Sequence, residues 1–216
     1  MLIQNAPLEV SRDVAKMLLE IKAIKLNKSN PFTWASGWKS PIYCDNRKSL
    51  SYSDVRTYIK KALCKEIRLH YPNVEVIAGV ATAGIPQGAL VADEMGLPFV
   101  YVRSKPKGHG MENLIEGELN PESKVVVIED LVSTGGSSLK AVDDIKKMGA
   151  EVLGMAAIFT YGFPLAQENF SKANIPLVTL SNYSDMLDIA VKQNYISSQD
   201  LSSLSSWREN PSVWSA

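Results

Sequence analysis

Net charge of either sign is missing from this chain. Across 216 residues Lys plus Arg and Asp plus Glu both count 23, so no global basic field exists to attract nucleic acid or an anionic membrane. Any anion site must therefore be local. Cysteine is scarce too: Cys44 and Cys64 stand in no metal or redox spacing, which argues against a disulfide framework and for two buried or half-buried thiols in a reducing, cytoplasmic setting. No apolar run approaches transmembrane length. The opening MLIQNAPLEVSRDVAKMLLE is an amphipathic helix pattern with interspersed charges, not a charged n-region followed by an apolar core. Internal repeats and low-complexity linkers are absent as well. At 45% hydrophobic, the chain can bury one good core, so a single domain over residues 1–216 is expected.

What is present is an alternation of β-rich apolar runs with helical periodicity. Strands are expected near 74–80, 98–103, 125–130, 151–160 and 176–180, and helices near 8–25, 53–69, 85–95, 136–148, 164–172 and 184–193. This βαβ rhythm predicts an α/β fold with a mostly parallel central sheet flanked by helices. The Ser-rich tail ISSQDLSSLSSWREN keeps Leu and Trp at intervals and predicts a final short helix, with no functional content to read.

The stretch VVVIEDLVSTGGSS, residues 125–138, carries most of the chemistry. An apolar β-branched run ends in Glu129 and Asp130, then passes through Leu131 and Val132 into a Ser/Thr/Gly turn that opens a helix. Ser133, Thr134, Gly135, Gly136, Ser137 and Ser138 offer hydroxyls and approachable backbone N–H groups at a helix N-terminus, an arrangement suited to an anion. The carboxylates accept only, and suit vicinal hydroxyls or a hydrated divalent cation. Phosphate plus diol points to a ribose 5-phosphate. A Walker A loop is excluded because no Lys precedes the Ser/Thr, and a dinucleotide fingerprint because the spaced glycines are missing. An ordinary Gly-rich βα turn would leave the paired acids unexplained.

Two other loops are expected at the carboxyl ends of strands, where ligands gather in such sheets. GVATAGIPQG, residues 79–88, is a small-residue loop before a helix: either a tight βα turn or an approach for a bulky anion. RSKPKGHGMENLIEGEL, from residue 103, is a polar excursion carrying Arg103, Lys105, Lys107 and His109, either a solvated hairpin or a functional loop. If it closes over the site, its cations can neutralise a bound anion while water is excluded.

The 125–138 stretch resembles the phosphoribosyl-diphosphate (PRPP) signature of the type I phosphoribosyltransferases, a hydrophobic run, two acids, then Thr-Gly-Gly. PFTWASGWKSPIYCDNR, residues 31–47, resembles a segment typical of the orotate phosphoribosyltransferases within that group; with RSKPKGHG the likeness spans most of residues 23–160. It implies the type I phosphoribosyltransferase fold, a hood at roughly 1–50 and a core at roughly 51–216. In the hood, Thr33, Ser36, Lys39, Ser40 and the aromatics Phe32, Trp34 and Trp38 suit a flat anionic pyrimidine, although for each aromatic alone subdomain packing is the simpler reading.

By the same resemblance, Arg103, Lys107 and His109 match the cationic positions that contact the diphosphate, with Lys107 and His109 as catalytic residues. Glu129, Asp130, Leu131, Val132, Ser133, Thr134, Gly135, Gly136 and Ser137 match the ribose 5-phosphate loop, Ser133 also reaching the orotate. Ser104, Ala83 and Thr160 depart from the enterobacterial pattern, which has Lys, Lys and Arg there. Ile158–Tyr161, reading IFTY, instead resembles a shorter Gram-positive-like subgroup. Implied too are Mg2+ held by the PRPP diphosphate and water with no protein metal ligand, and a homodimer whose 103–118 loop closes over the partner's site. The activity implied is transfer of phosphoribosyl from PRPP to orotate. A purine or uracil phosphoribosyltransferase and a non-catalytic PRPP-sensing regulator on the same fold are the alternatives; the regulator predicts a basic face, which the charge balance does not offer.

Overall fold

A computed structural model describes residues 2–27, 30–34, 37–105 and 114–214. Among these residues, seven strands form the central sheet. From one edge to the other they are β1 (Ile3–Asn5), β11 (Leu177–Asn182), β10 (Glu151–Thr160), β9 (Lys124–Val132), β6 (Val76–Val80), β7 (Phe99–Val102) and β8 (Ile115–Glu116). Every neighbouring pair is parallel except β7 with β8. The expected strands all form, and the sheet is mostly parallel as their rhythm requires.

The reason for the unbroken VVVI run lies in β9, which is buried on both faces. Val126 and Ile128 pack on one face with α1 (Leu8–Glu20), α2 (Ser53–His70), α3 (Gly84–Met95) and α6 (Tyr183–Lys192). Val125 and Val127 face the other way, toward Val142 and Ile145 of α4 (Gly136–Lys147) and Phe170 of α5 (Pro164–Ala173). A parallel strand clothed by helices on both sides reads as continuous rather than alternating hydrophobicity.

Two boundaries differ from expectation. The first helix stops at Glu20 rather than near residue 25, because Lys22 takes a left-handed backbone (φ 56°) and Ile24–Leu26, β2, pairs antiparallel with Ile42–Cys44, β5. Ala23 and Ile24 are buried, so their apolar character continued the helical pattern into a strand. The hood is also smaller than residues 1–50. Ile3–Asn5 pairs with Leu177–Thr179 at the sheet edge, and α1 packs on α6 and β11, which places the first twenty or so residues in the core. What remains of the hood is the β2/β5 pair and a two-residue hairpin, β3 (Phe32–Thr33) with β4 (Lys39–Ser40). The tail forms α7 (Leu201–Glu209), whose Trp207 is fully buried.

Candidate active site

At the carboxyl end of β9, Glu129 is 6% exposed and Asp130 half-buried. The Glu129 carboxylate accepts from the Asp130 backbone N–H (3.0 Å) and from Ser138 Oγ (3.0 Å). Burial, with the Asp130 charge beside it, pushes the Glu129 pKa up to about 8. Burial also raises Asp130, opposed by hydrogen bonds and by the charge of Arg47. The two acids therefore differ: Glu129 is an internal brace with both oxygens engaged, and Asp130 is the less buried of the pair. Ser138, expected to face the anion, is 1% exposed and spends its hydroxyl on Glu129. Val132 is fully buried, and its carbonyl accepts from Thr160 Oγ1 (3.1 Å) and the Tyr161 N–H (3.2 Å). Its side chain belongs to the core.

The turn after β9 is built around Gly135, which caps α4 with φ 82°. A Cβ there would lie 2.7 Å from Phe170 Cε2, so glycine is required by the backbone and by α5 behind it. At Gly136 the nearest atom to a Cβ is Thr134 Oγ1 at 3.9 Å, which leaves that side open. Asn169 of α5 steadies the turn by donating to the Thr134 carbonyl (2.9 Å).

A cleft of about 110 Å³ joins the three loops that the sequence sent to the strand ends. Ala81 of the 79–88 loop, Arg103 after β7 and Ser137 of the turn line it together, with Lys140 one helical turn further on. Lys140 went unread in the sequence because it sits in a charged helix face. The Arg103 guanidinium is shared with Glu116 across the β7/β8 hairpin (3.1 Å). The 79–88 glycines serve packing first: a Cβ on Gly84 would strike the Ile128 carbonyl, and one on Gly88 would lie 2.7 Å from Phe99. They let α3 sit directly on β6 and β9, with the small residues 81–83 left at its N-terminus. Lys107 and His109 lie outside the described residues.

A second cavity, of about 320 Å³, opens beside the first strand tip. Thr33, Trp34, Tyr43 and Cys44 of the hood line it, with Leu131, Ser133 and Tyr161 of the core. Trp34 and Tyr161 lie 5.1 Å apart, ring to ring, at its wall. Of the hood residues expected here, Thr33 and Trp34 arrive, and Lys39 Nζ donates to Thr33 Oγ1 (2.8 Å). Phe32 packs on Tyr43 (5.6 Å), and Trp38 packs edge-on against Phe163 (6.5 Å) beside a different cavity. Ser40 is fully buried, its hydroxyl engaged with the Ile42 backbone, and Ser36 lies outside the described residues. Thr160 is 2% exposed and its hydroxyl is held by the Val132 carbonyl and the Gly162 N–H, so it anchors backbone and not ligand.

Behind this cavity stands the tail. Trp207 packs against Trp34, Tyr161 and Phe163 at 5.2–5.6 Å and donates from Nε1 to the Lys39 carbonyl (3.1 Å). The Leu and Trp spacing of the tail was the only signal for this, and it carried no address.

An acid pair at a parallel strand tip, a hydroxyl and glycine turn at a helix start, and a separate aromatic cavity across Leu131 and Ser133 are the parts of a phosphoribosyltransferase. The family model for the phosphoribosyl transferase domain matches residues 50–176. The orotate phosphoribosyltransferase of Bacteroides thetaiotaomicron is 59% identical over 207 residues, covering 96% of this chain and 98% of that one. That of Listeria innocua is 53% identical over 207 residues, covering 96% and 99%. Among solved structures, the orotate phosphoribosyltransferase of Aeropyrum pernix aligns with a TM-score of 0.73 at 27% identity, over 85% of this chain and 99% of that one. The UMP synthase of Leishmania donovani aligns at 0.77 and 26%, over 92% of this chain and 42% of that larger one. The chain belongs to the orotate phosphoribosyltransferase family.

Proposed function

We propose that this protein transfers the 5-phosphoribosyl group of PRPP to orotate, giving orotidine 5′-phosphate and pyrophosphate. The observation that supports this is the continuity of residues 130–137: Leu131 and Ser133 line an aromatic cavity suited to a planar base, and the same short stretch holds Asp130 and the Gly135–Gly136 turn, which this reading gives to the sugar phosphate. Orotate N1 attacks ribose C1 as the C1–O bond to the diphosphate breaks; the bonding electrons leave with the diphosphate, and the N1 proton passes to water or to the departing pyrophosphate. The ribose becomes oxocarbenium-like, so cations belong at the leaving group and acceptors near the sugar. Arg103 and Lys140 supply positive charge at the cleft, Asp130 the acceptor for the ribose hydroxyls. Lys107 and His109, on the loop after Arg103, are assigned to the departing diphosphate.

Magnesium, a hard cation that retains several waters, fits this donor set as an ion carried by the substrate. Both Glu129 oxygens already accept hydrogen bonds, which leaves Asp130 to hold such an ion through water or the ribose hydroxyls. When bound it would neutralise charge on the diphosphate. The free thiols Cys44 and Cys64 fit a reducing cytoplasm. Orotate-dependent pyrophosphate release from PRPP, followed as loss of orotate absorbance, tests the assignment; equal turnover of uracil or hypoxanthine would overturn it.

A two-fold dimer with the 103–118 loop of one subunit over the other's crevice is the assembly assigned to it. Mixing inactive Lys107→Ala and Asp130→Asn subunits after dissociation should restore activity. About half of random dimers are hybrids with one of two sites intact, so the ceiling is about a quarter of wild type. A loop acting within its own subunit leaves every hybrid site damaged and the mixture inactive.

A further inference from the structure

A buried polar chain centred on Asn46 runs behind the strand tip. On the β6 side, β9 is paired only as far as Gly79 with Ile128, after which the β6 chain turns away into the 81–83 loop. Two residues beyond that point, Asn46 Nδ2 donates to the Asp130 carbonyl at 2.7 Å. Asn46 is 1% exposed and every polar end of its side chain is engaged, since its Oδ1 accepts from the thiol of Cys44 (3.3 Å), a residue of the aromatic cavity. Its own carbonyl accepts from Ser49 Oγ (2.6 Å), and Ser49 Oγ accepts in turn from Gln87 Nε2 (3.2 Å) on α3. Gln87 is 1% exposed, and its Oε1 finds no hydrogen-bond partner among the described residues.

This chain touches all three parts of the site: the base cavity through Cys44, the sugar acid through Asp130, and the helix behind the 81–83 loop through Gln87. A peptide carbonyl at an unpaired strand end is free to tilt, and tilting it swings the Asp130 side chain. We propose that Asn46 is a positioning residue that replaces the missing sheet neighbour, fixing Asp130 toward the ribose and clasping the hood to the core in the same step. A merely structural side chain would need neither the bond to Asp130 nor the line to α3. The inference rests on the assignment of Asp130 to PRPP.

The test is Asn46→Asp, nearly isosteric, which sets an acceptor against the Asp130 carbonyl. KM for PRPP should rise about tenfold, the change that accompanies loss of one buried hydrogen bond, while KM for orotate stays within about twofold. Direct titration with PRPP, without turnover, should show the same loss of affinity. Ser49→Ala, which cuts the line to Gln87 but leaves Asn46 in place, should show a smaller change of the same selectivity, and serves if Asn46→Asp does not fold. Unchanged PRPP affinity in the folded variant, or equal losses for both substrates, overturns the inference. Failure of the wild-type protein to bind PRPP would instead sink the assignment of the site itself.

Discussion

Removing the Trp207 side chain should damage the base half of the site from behind. Trp207 is fully buried, packs on Trp34, Tyr161, Phe163 and Tyr183, and bonds the Lys39 carbonyl at 3.1 Å. Truncating a buried Trp to Ala costs about 3–5 kcal/mol. For a chain of this length, each kcal/mol lowers Tm by about 2–4 °C, so Trp207→Ala should melt roughly 6–20 °C lower. The loss falls on the weakest element, since the β3/β4 hairpin has two residues per strand and such pairs are marginal alone. Trp34 lines the base cavity, so KM for orotate should rise more than KM for PRPP. Trp207→Phe keeps a ring but loses the N–H, a change of about 1 kcal/mol. Calorimetry and paired substrate titrations read both effects. A Tm drop below about 3 °C, or equal changes in the two KM values, would refute the idea that the tail buttresses the base pocket.

Gly135→Ala should cost about 2–4 kcal/mol, from the left-handed backbone and from the 2.7 Å approach to Phe170, whereas Gly136→Ala should leave Tm nearly unchanged and weaken PRPP, because its Cβ enters open space on the ligand side; a stable Gly135→Ala would mean the turn can rearrange. The raised Glu129 pKa makes the folded protein bind more protons than the unfolded chain between pH 4.5 and about 8, so its stabilising contribution is complete below pH 4.5 and is lost as pH rises through about 8. Thermal melts of the unligated protein over that range should therefore decline more steeply for wild type than for Glu129→Gln, and parallel curves would contradict the burial argument.

The sheet was legible because burial on both faces writes itself into the sequence as runs such as VVVI, and because the helices between them end at Gly96 and Gly149, both at positive φ. The phosphate turn was legible for a different reason: its backbone needs glycine and its ligand needs hydroxyls, and both demands fall on neighbouring residues. Within that turn the roles were blurred, since Ser137 and Ser138 look alike in sequence, yet one lines the cleft and the other braces Glu129. Only the helical phase of α4 separates them. The short strands of the hood could not be read, because two- and three-residue pairs carry no periodicity. Asn46 and Trp207 were missed because their partners lie 84 and 168 residues away.

Those two distant contacts explain how so small a hood can shape a cavity. Its paired strands, Ile24–Leu26 with Ile42–Cys44 and Phe32–Thr33 with Lys39–Ser40, are too short to hold a geometry by their own hydrogen bonds. Trp207 ties the second pair to the tail, and Asn46, just beyond the first, ties the hood to β9. The wall of the aromatic cavity is thus set by the tail and the position of Asp130 by the strand tip, with Leu131 and Ser133 as the covalent link between them. Side chains on the hood face of the cavity, Thr33 and Tyr43 among them, can change there without moving Asp130 or the Gly135 turn, because neither rests on those side chains. Cys44 lacks that freedom: its thiol is bonded to Asn46, so a change at this one hood position reaches the sugar half of the site as well.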